Sequence, residues 1–76
     1  MSSILFVTRA GCMLCAEARP LVETEAARRG HAFEVADIDR LDWQARWGDR
    51  VPVVLRDGVE VLSGRFTRRL IRRALR

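Results

Sequence analysis

The stretch Thr8–Pro20, TRAGCMLCAEARP, governs how the rest of the chain is read: within it an apolar run gives way to helical spacing across two cysteines. Upstream, Ser3–Val7 (SILFV) is apolar from Ile4 onward without a break, the pattern of a strand buried on both faces. From Cys12 the apolar positions Leu14, Ala18, Leu21 and Val22 share one helical face, and Glu17, Glu23, Arg28 and Arg29 fall outside it. Gly30 follows the last turn, the usual place for a left-handed stop residue. Pro20 inside the helix predicts a kink or loosened turn near Ala16–Arg19, because its ring removes a backbone N–H.

Working outward, His31–Ile38 (HAFEVADI) is rich in strand formers, with Phe33 and Val35 on one side. Strand, helix and strand make a βαβ unit, so the two strands should be parallel. Asp39 is expected to cap a short helix, Arg40–Trp47, with Asp42 acting on its dipole and Gly48 ending it. Trp43 and Trp47 share a face of that helix and are read as packing residues. Val51–Leu55 and Val59–Leu62 flank Asp57-Gly58, the strongest short hairpin signal. Phe66–Arg76 is amphipathic, with Phe66, Leu70, Ile71, Ala74 and Leu75 on one side and arginines on the other. The order is β-α-β-α-β-β-α in a single domain, residues 1–76.

A chain of 76 residues with 49% apolar and 32% charged content reads as one small globular domain. Its apolar runs are too short to cross a bilayer, and Met-Ser-Ser before Ile4 carries no basic residue. A cytoplasmic location, where thiols are kept reduced, is therefore the expectation. The net charge of +4 is carried by arginine alone, there being no lysine, and is read as codon bias. Six of the arginines lie between Gly64 and Arg76. A solvated outer helix face explains them more simply than nucleic-acid binding does.

Cys12 and Cys15 are the only cysteines. Three residues apart on a helix, their Cα atoms fall roughly 5 Å from each other, within the ~4.4–6.8 Å that a disulfide accepts. Cys12 would sit at the helix start, where unpaired N–H groups and the dipole favour a thiolate. Cys15, a turn deeper, would remain a thiol until needed. One becomes the nucleophile and the other the resolving group. On this reading, either sulfur walled off inside the core, or a helix that begins elsewhere, would defeat such a role. Two other readings stand beside this one. A tetrahedral zinc centre wants four ligands, and His31, beyond the far end of the helix, is the only histidine. Two inert buried cysteines are also open, as free cysteine is often buried. A CxxC beside a βαβ pattern favours the redox reading.

At this point a resemblance becomes specific. SILFVT, RAGCMLC, the proline five residues after Cys15, VADID, RVPVVLRDG and a glycine before the last helix resemble a glutaredoxin-like member of the thioredoxin superfamily, over essentially the whole chain. The resemblance implies an α/β fold with a four-stranded mixed sheet, order 2-1-3-4, flanked by three helices. It implies that Pro52 is cis and faces the CxxC, and that Val51 offers its backbone to an extended thiol substrate. Cys12 matches the attacking cysteine and Cys15 the resolving one. Arg9 matches the basic residue that helps bind the glycine carboxylate of glutathione. Gly11, Met13, Leu14, Ser63 and Gly64 complete the expected substrate contacts. Two features depart from the family pattern: Met13 and Leu14 stand where glutaredoxins generally carry an aromatic residue, and Ser63-Gly64-Arg65-Phe66 has no acidic pair.

The activity implied is that of a small dithiol thiol–disulfide oxidoreductase, reducing protein or glutathione mixed disulfides in cell redox homeostasis and electron transport. Glutathione is a candidate co-substrate, and no permanently bound cofactor or metal is expected. Glutathione or a thioredoxin reductase-type system would return the electrons to a monomeric protein. The alternative is a non-catalytic thioredoxin-fold binding module, or an iron–sulfur cluster carrier using Cys12 in a dimer with glutathione, since one chain offers too few thiolates for a cluster.

Overall fold

Strand β1 (Ser3–Thr8) runs through the interior of the sheet, and its sequence explains why. Ile4 and Phe6 point to one face and Val7 to the other, and all three are buried. Burying each such side chain stabilises the fold by about 1.5–3 kcal/mol. The computed structural model describes residues 2–41 and 50–76. Its sheet has the order β2-β1-β3-β4, with β2 (Ala32–Asp37) parallel to β1 and β3 (Val53–Arg56) antiparallel to it. Strand β4 (Val59–Ser63) closes the other edge, antiparallel to β3.

Helix α1 (Met13–Arg28) connects β1 to β2 and runs continuously through Pro20. It ends where Gly30, at φ 76°, turns the chain. The Gly30 and His31 N–H groups donate to the Ala27 and Ala26 carbonyls, the paired bonds of a Schellman stop. The buried stripe of α1 is Cys15, Ala18, Val22, Glu25 and Ala26. That stripe is centred one position beyond the expected one, so Leu14 and Leu21 flank it half-buried.

Among the described residues, two helices of two or more turns serve the sheet, where three helices were expected over the whole chain. The second is α3 (Arg68–Leu75), which packs on α1 and drops Ile71 and Leu75 into the core they share with Ile4, Phe6 and Val54. Thr67 caps it by accepting the Leu70 N–H, so it starts two residues later than the apolar spacing from Phe66 suggested, and Leu70 lies exposed. Of the short helix expected at Arg40–Trp47, Arg40 and Leu41 lie within the described residues, in the helical turn α2 (Ile38–Leu41). Ile38, read as the end of a strand, is its first residue and is fully buried against Val7, Val53 and Leu55 on the sheet's second face. Asp37, not Asp39, caps this turn, its Oδ1 accepting the Asp39 N–H at 2.9 Å. Trp43, Trp47, Asp42 and Gly48 lie outside the described residues.

The hairpin turn is the two-residue Asp57-Gly58, both at positive φ (52° and 85°), the geometry that matches the twist of the flanking strands. Asp57 is also tied to the start of β1: its Oδ1 accepts the Ser3 N–H and its own N–H donates to the Ser3 carbonyl. Ladder pairing of β3 begins at Val53, after Pro52, which has no N–H to contribute.

Candidate functional site

The end of β1 delivers the chain to a short loop, Arg9–Cys12, in which Gly11 takes φ 77°. A side chain at that position would be strained by the left-handed backbone alone, since open space surrounds it. Cys12 then stands as the N-cap of α1, in extended backbone (φ −87°, ψ 109°). Its Sγ accepts the Cys15 N–H at 3.1 Å, and its carbonyl accepts the Ala16 N–H at 3.1 Å. The sulfur thus occupies the place where a capping oxygen would satisfy an unpaired helical N–H. Negative charge on it is stabilised there by that N–H and by the positive end of the helix dipole.

Cys12 and Cys15 are joined in a disulfide, their Cα atoms 5.2 Å apart. The two sulfurs differ in surroundings. Cys12 is half-buried at the rim of the core, whereas Cys15 is 3% exposed and belongs to the core with Ala18 and Val22. The requirement that neither sulfur be enclosed therefore holds for Cys12 alone. That suffices chemically, because a resolving cysteine needs to reach only its partner sulfur, and the bond shows that it does.

Sheet register gathers the other expected residues at the same end of the molecule. Val7 pairs with Val53, so Pro52 lies opposite Thr8, next to the loop that leads to Cys12. The Val51–Pro52 peptide is cis. Val51 is half-buried against the core that Cys12 also touches. Val53 pairs in turn with Ser63, placing Ser63 and Gly64 one strand further out. The Gly64 N–H donates to the carbonyls of Pro52 (2.8 Å) and Arg50 (3.0 Å), which ties the segment after β4 to the one before β3. Arg50 also pairs with Glu60. Met13 is 75% exposed beside Cys12, and Leu14 is half-buried.

Arg9 lies within 3.8 Å of the Asp39 carboxylate. This partner, on the first turn of α2, was not read from the sequence, where Asp39 figured as a cap. Nor was the role of His31 anticipated. The Ser2 N–H donates to its Nδ1 and its Nε2 donates to the Leu75 carbonyl, so both ring nitrogens serve packing of the chain's two ends. Among the described residues no three of His, Cys, Asp and Glu converge as metal ligands do, and no helix is long and apolar enough to cross a membrane.

A half-exposed cysteine at a helix N-cap, disulfide-bonded to a buried cysteine one turn on, fits a thiol–disulfide redox role. No functionally curated protein matches the chain. The model of the glutaredoxin-like domain family (DUF836) matches residues 3–76, which takes in every strand and helix described above. With that match and a four-stranded mixed sheet of order 2-1-3-4 carrying the CxxC, the chain belongs to the glutaredoxin-like family of the thioredoxin superfamily.

Proposed function

We propose that the protein is a small dithiol thiol–disulfide oxidoreductase, with Cys12 as the attacking and Cys15 as the resolving sulfur. The observation that carries this reading is the position of the Cys12 sulfur: it caps α1, accepts the Cys15 N–H and is the more exposed of the bonded pair. In the reduced protein the Cys12 thiolate attacks one sulfur of a substrate disulfide. A mixed disulfide forms and the other substrate sulfur leaves as a thiolate, which takes up a proton. Cys15 then loses its proton and attacks Cys12, closing the intramolecular bond and releasing the second substrate thiol. Two electrons pass from the dithiol to the substrate, and glutathione or a reductase-type dithiol returns them.

Val51, Pro52, Gly11 and Gly64 form the backbone surroundings for an extended substrate, and Met13 and Leu14 its apolar contacts. Arg9 attracts a substrate carboxylate from its place beside Asp39. The protein acts as a monomer in the cytoplasm. Turnover of a mixed glutathione disulfide and of insulin disulfides tests the reading, with Cys12→Ser abolishing both. Cys15→Ser should leave the substrate covalently held on Cys12, where mass spectrometry identifies it. Activity that survives Cys12→Ser would sink the assignment.

A further inference from the structure

Helices α1 and α3 leave a recess between them, about 290 Å³ in volume, lined by Leu21, Thr24, Glu25, Arg68, Ile71 and Arg72. Leu21 lies nine residues beyond Cys12, or about 14 Å along the helix at ~1.5 Å per residue, so the recess is separate from the disulfide. Its apolar lining comes from Leu21, half-buried, and Ile71, buried in the core. Its charges are unequally satisfied. Glu25 already holds its own counterions: its carboxylate accepts from Arg28 Nε and Nη2 (3.3 and 3.0 Å) and from Arg29 Nε. Arg68 and Arg72, one turn apart on α3, have no carboxylate within ion-pair distance among the described residues. Arg69 and Arg73 likewise lack one but do not line the recess.

We propose that this recess binds an acidic segment of a partner protein, an apolar side chain entering over Leu21 and Ile71 while flanking carboxylates meet Arg68 and Arg72. Guanidinium groups bind carboxylates through paired, charge-assisted hydrogen bonds, and two of them a turn apart suit acidic residues on either side of one anchor. The volume is at the small end of ligand sites (~300–1,000 Å³), a fit for an anchoring side chain rather than a large cofactor. A nucleic-acid backbone would use the arginines without needing the apolar lining. Thr24 also lines the recess.

The test uses a fluorescein-labelled peptide of about twelve residues, Asp and Glu around one central leucine, titrated with the whole protein. Anisotropy should show binding that Arg68→Glu/Arg72→Glu weakens about tenfold or more, the loss of at least one charge-assisted bond. Arg69→Glu/Arg73→Glu, with the same change in net charge, should weaken it less than about threefold. Amide NMR shifts should move at Thr24 and Arg72 and not at Met13. Should the glutamate pair fail to fold by circular dichroism, Arg68→Gln/Arg72→Gln provides the same comparison. Equal loss from both arginine pairs, equal binding of a peptide lacking the leucine, tighter binding of a short DNA duplex, or no binding at all would each overturn the proposal. None of these readouts depends on Cys12 chemistry.

Discussion

Replacing His31 with alanine isolates a contact that joins residues far apart in sequence. In the folded protein the imidazole is held in one tautomer: Nδ1 accepts the Ser2 N–H at 3.0 Å and Nε2–H donates to the Leu75 carbonyl at 2.7 Å. The bonds connect the approach to β1, the end of α1 and the last turn of α3. Arg56 supports the same turn, donating to the Ala74 and Arg76 carbonyls and to Ser2 Oγ. A neutral hydrogen bond contributes about 0.5–1.5 kcal/mol net, so His31→Ala should destabilise by about 1–3 kcal/mol. Part-burial of the ring keeps the cost within that range, because water can reach some of what is vacated. In a domain of this size each kcal/mol moves the melting midpoint by about 4–8 °C, so a loss of about 2 kcal/mol lowers it by about 8–16 °C. Urea unfolding followed by circular dichroism gives the free energy, with the slope unchanged. His31→Gln, whose amide can reach the Nε2 position, should recover the Leu75 bond alone and fall midway. A loss from His31→Ala below about 0.5 kcal/mol, the range of inert surface substitutions, would refute the reasoning.

Two further substitutions probe local devices. The Arg28 and Arg29 hydrogen bonds to Glu25 hold its carboxyl below the usual carboxylate range. A carboxyl lowered on folding adds stability at neutral pH and gives it up as the pH falls through that lowered range. Glu25→Gln should therefore cost about 1 kcal/mol at neutral pH, after allowance for solvent screening of the arginines, with the two proteins converging in acid. Parallel losses at every pH would show that the charge is not responsible. Gly58→Ala places a side chain at φ 85° in the hairpin turn and should cost roughly 1–2 kcal/mol by thermal melting, while an unchanged midpoint would contradict the turn geometry.

Much of the framework was legible because its signals are local. The unbroken Ile4–Val7 run, the helical spacing after Cys12, Gly30 and Asp57-Gly58 each mark their own element, and the parallel pairing follows from the helix between two strands. Errors arose where neighbouring residues compete for one role. Leu14 and Cys15 both suit the inner face of α1, and packing chose the cysteine. Asp37 and Asp39 both suit a cap, and the chain enters its turn at Ile38, two residues before the expected Arg40, so Asp37 takes it. Glu25 is buried despite its charge, a placement whose local signal, arginines three and four residues on, was present in the sequence. The His31 and Arg56 contacts to the end of α3 had no such signal, since they span 44 and 18 residues. At the site, the CxxC spacing disclosed the chemistry, but Arg9 meeting Asp39 depended on how the end of β2 lies beside the end of β1.

Alkylation of the reduced protein by iodoacetamide near pH ~6, read cysteine by cysteine by mass spectrometry, bears most directly on Cys12 as a helix-activated nucleophile. Cys12 should label several-fold faster than the cysteine of an unstructured peptide, with Cys15 left largely unmodified in the core. Labelling of Cys12 no faster than the peptide, or of Cys15 first, would contradict the account.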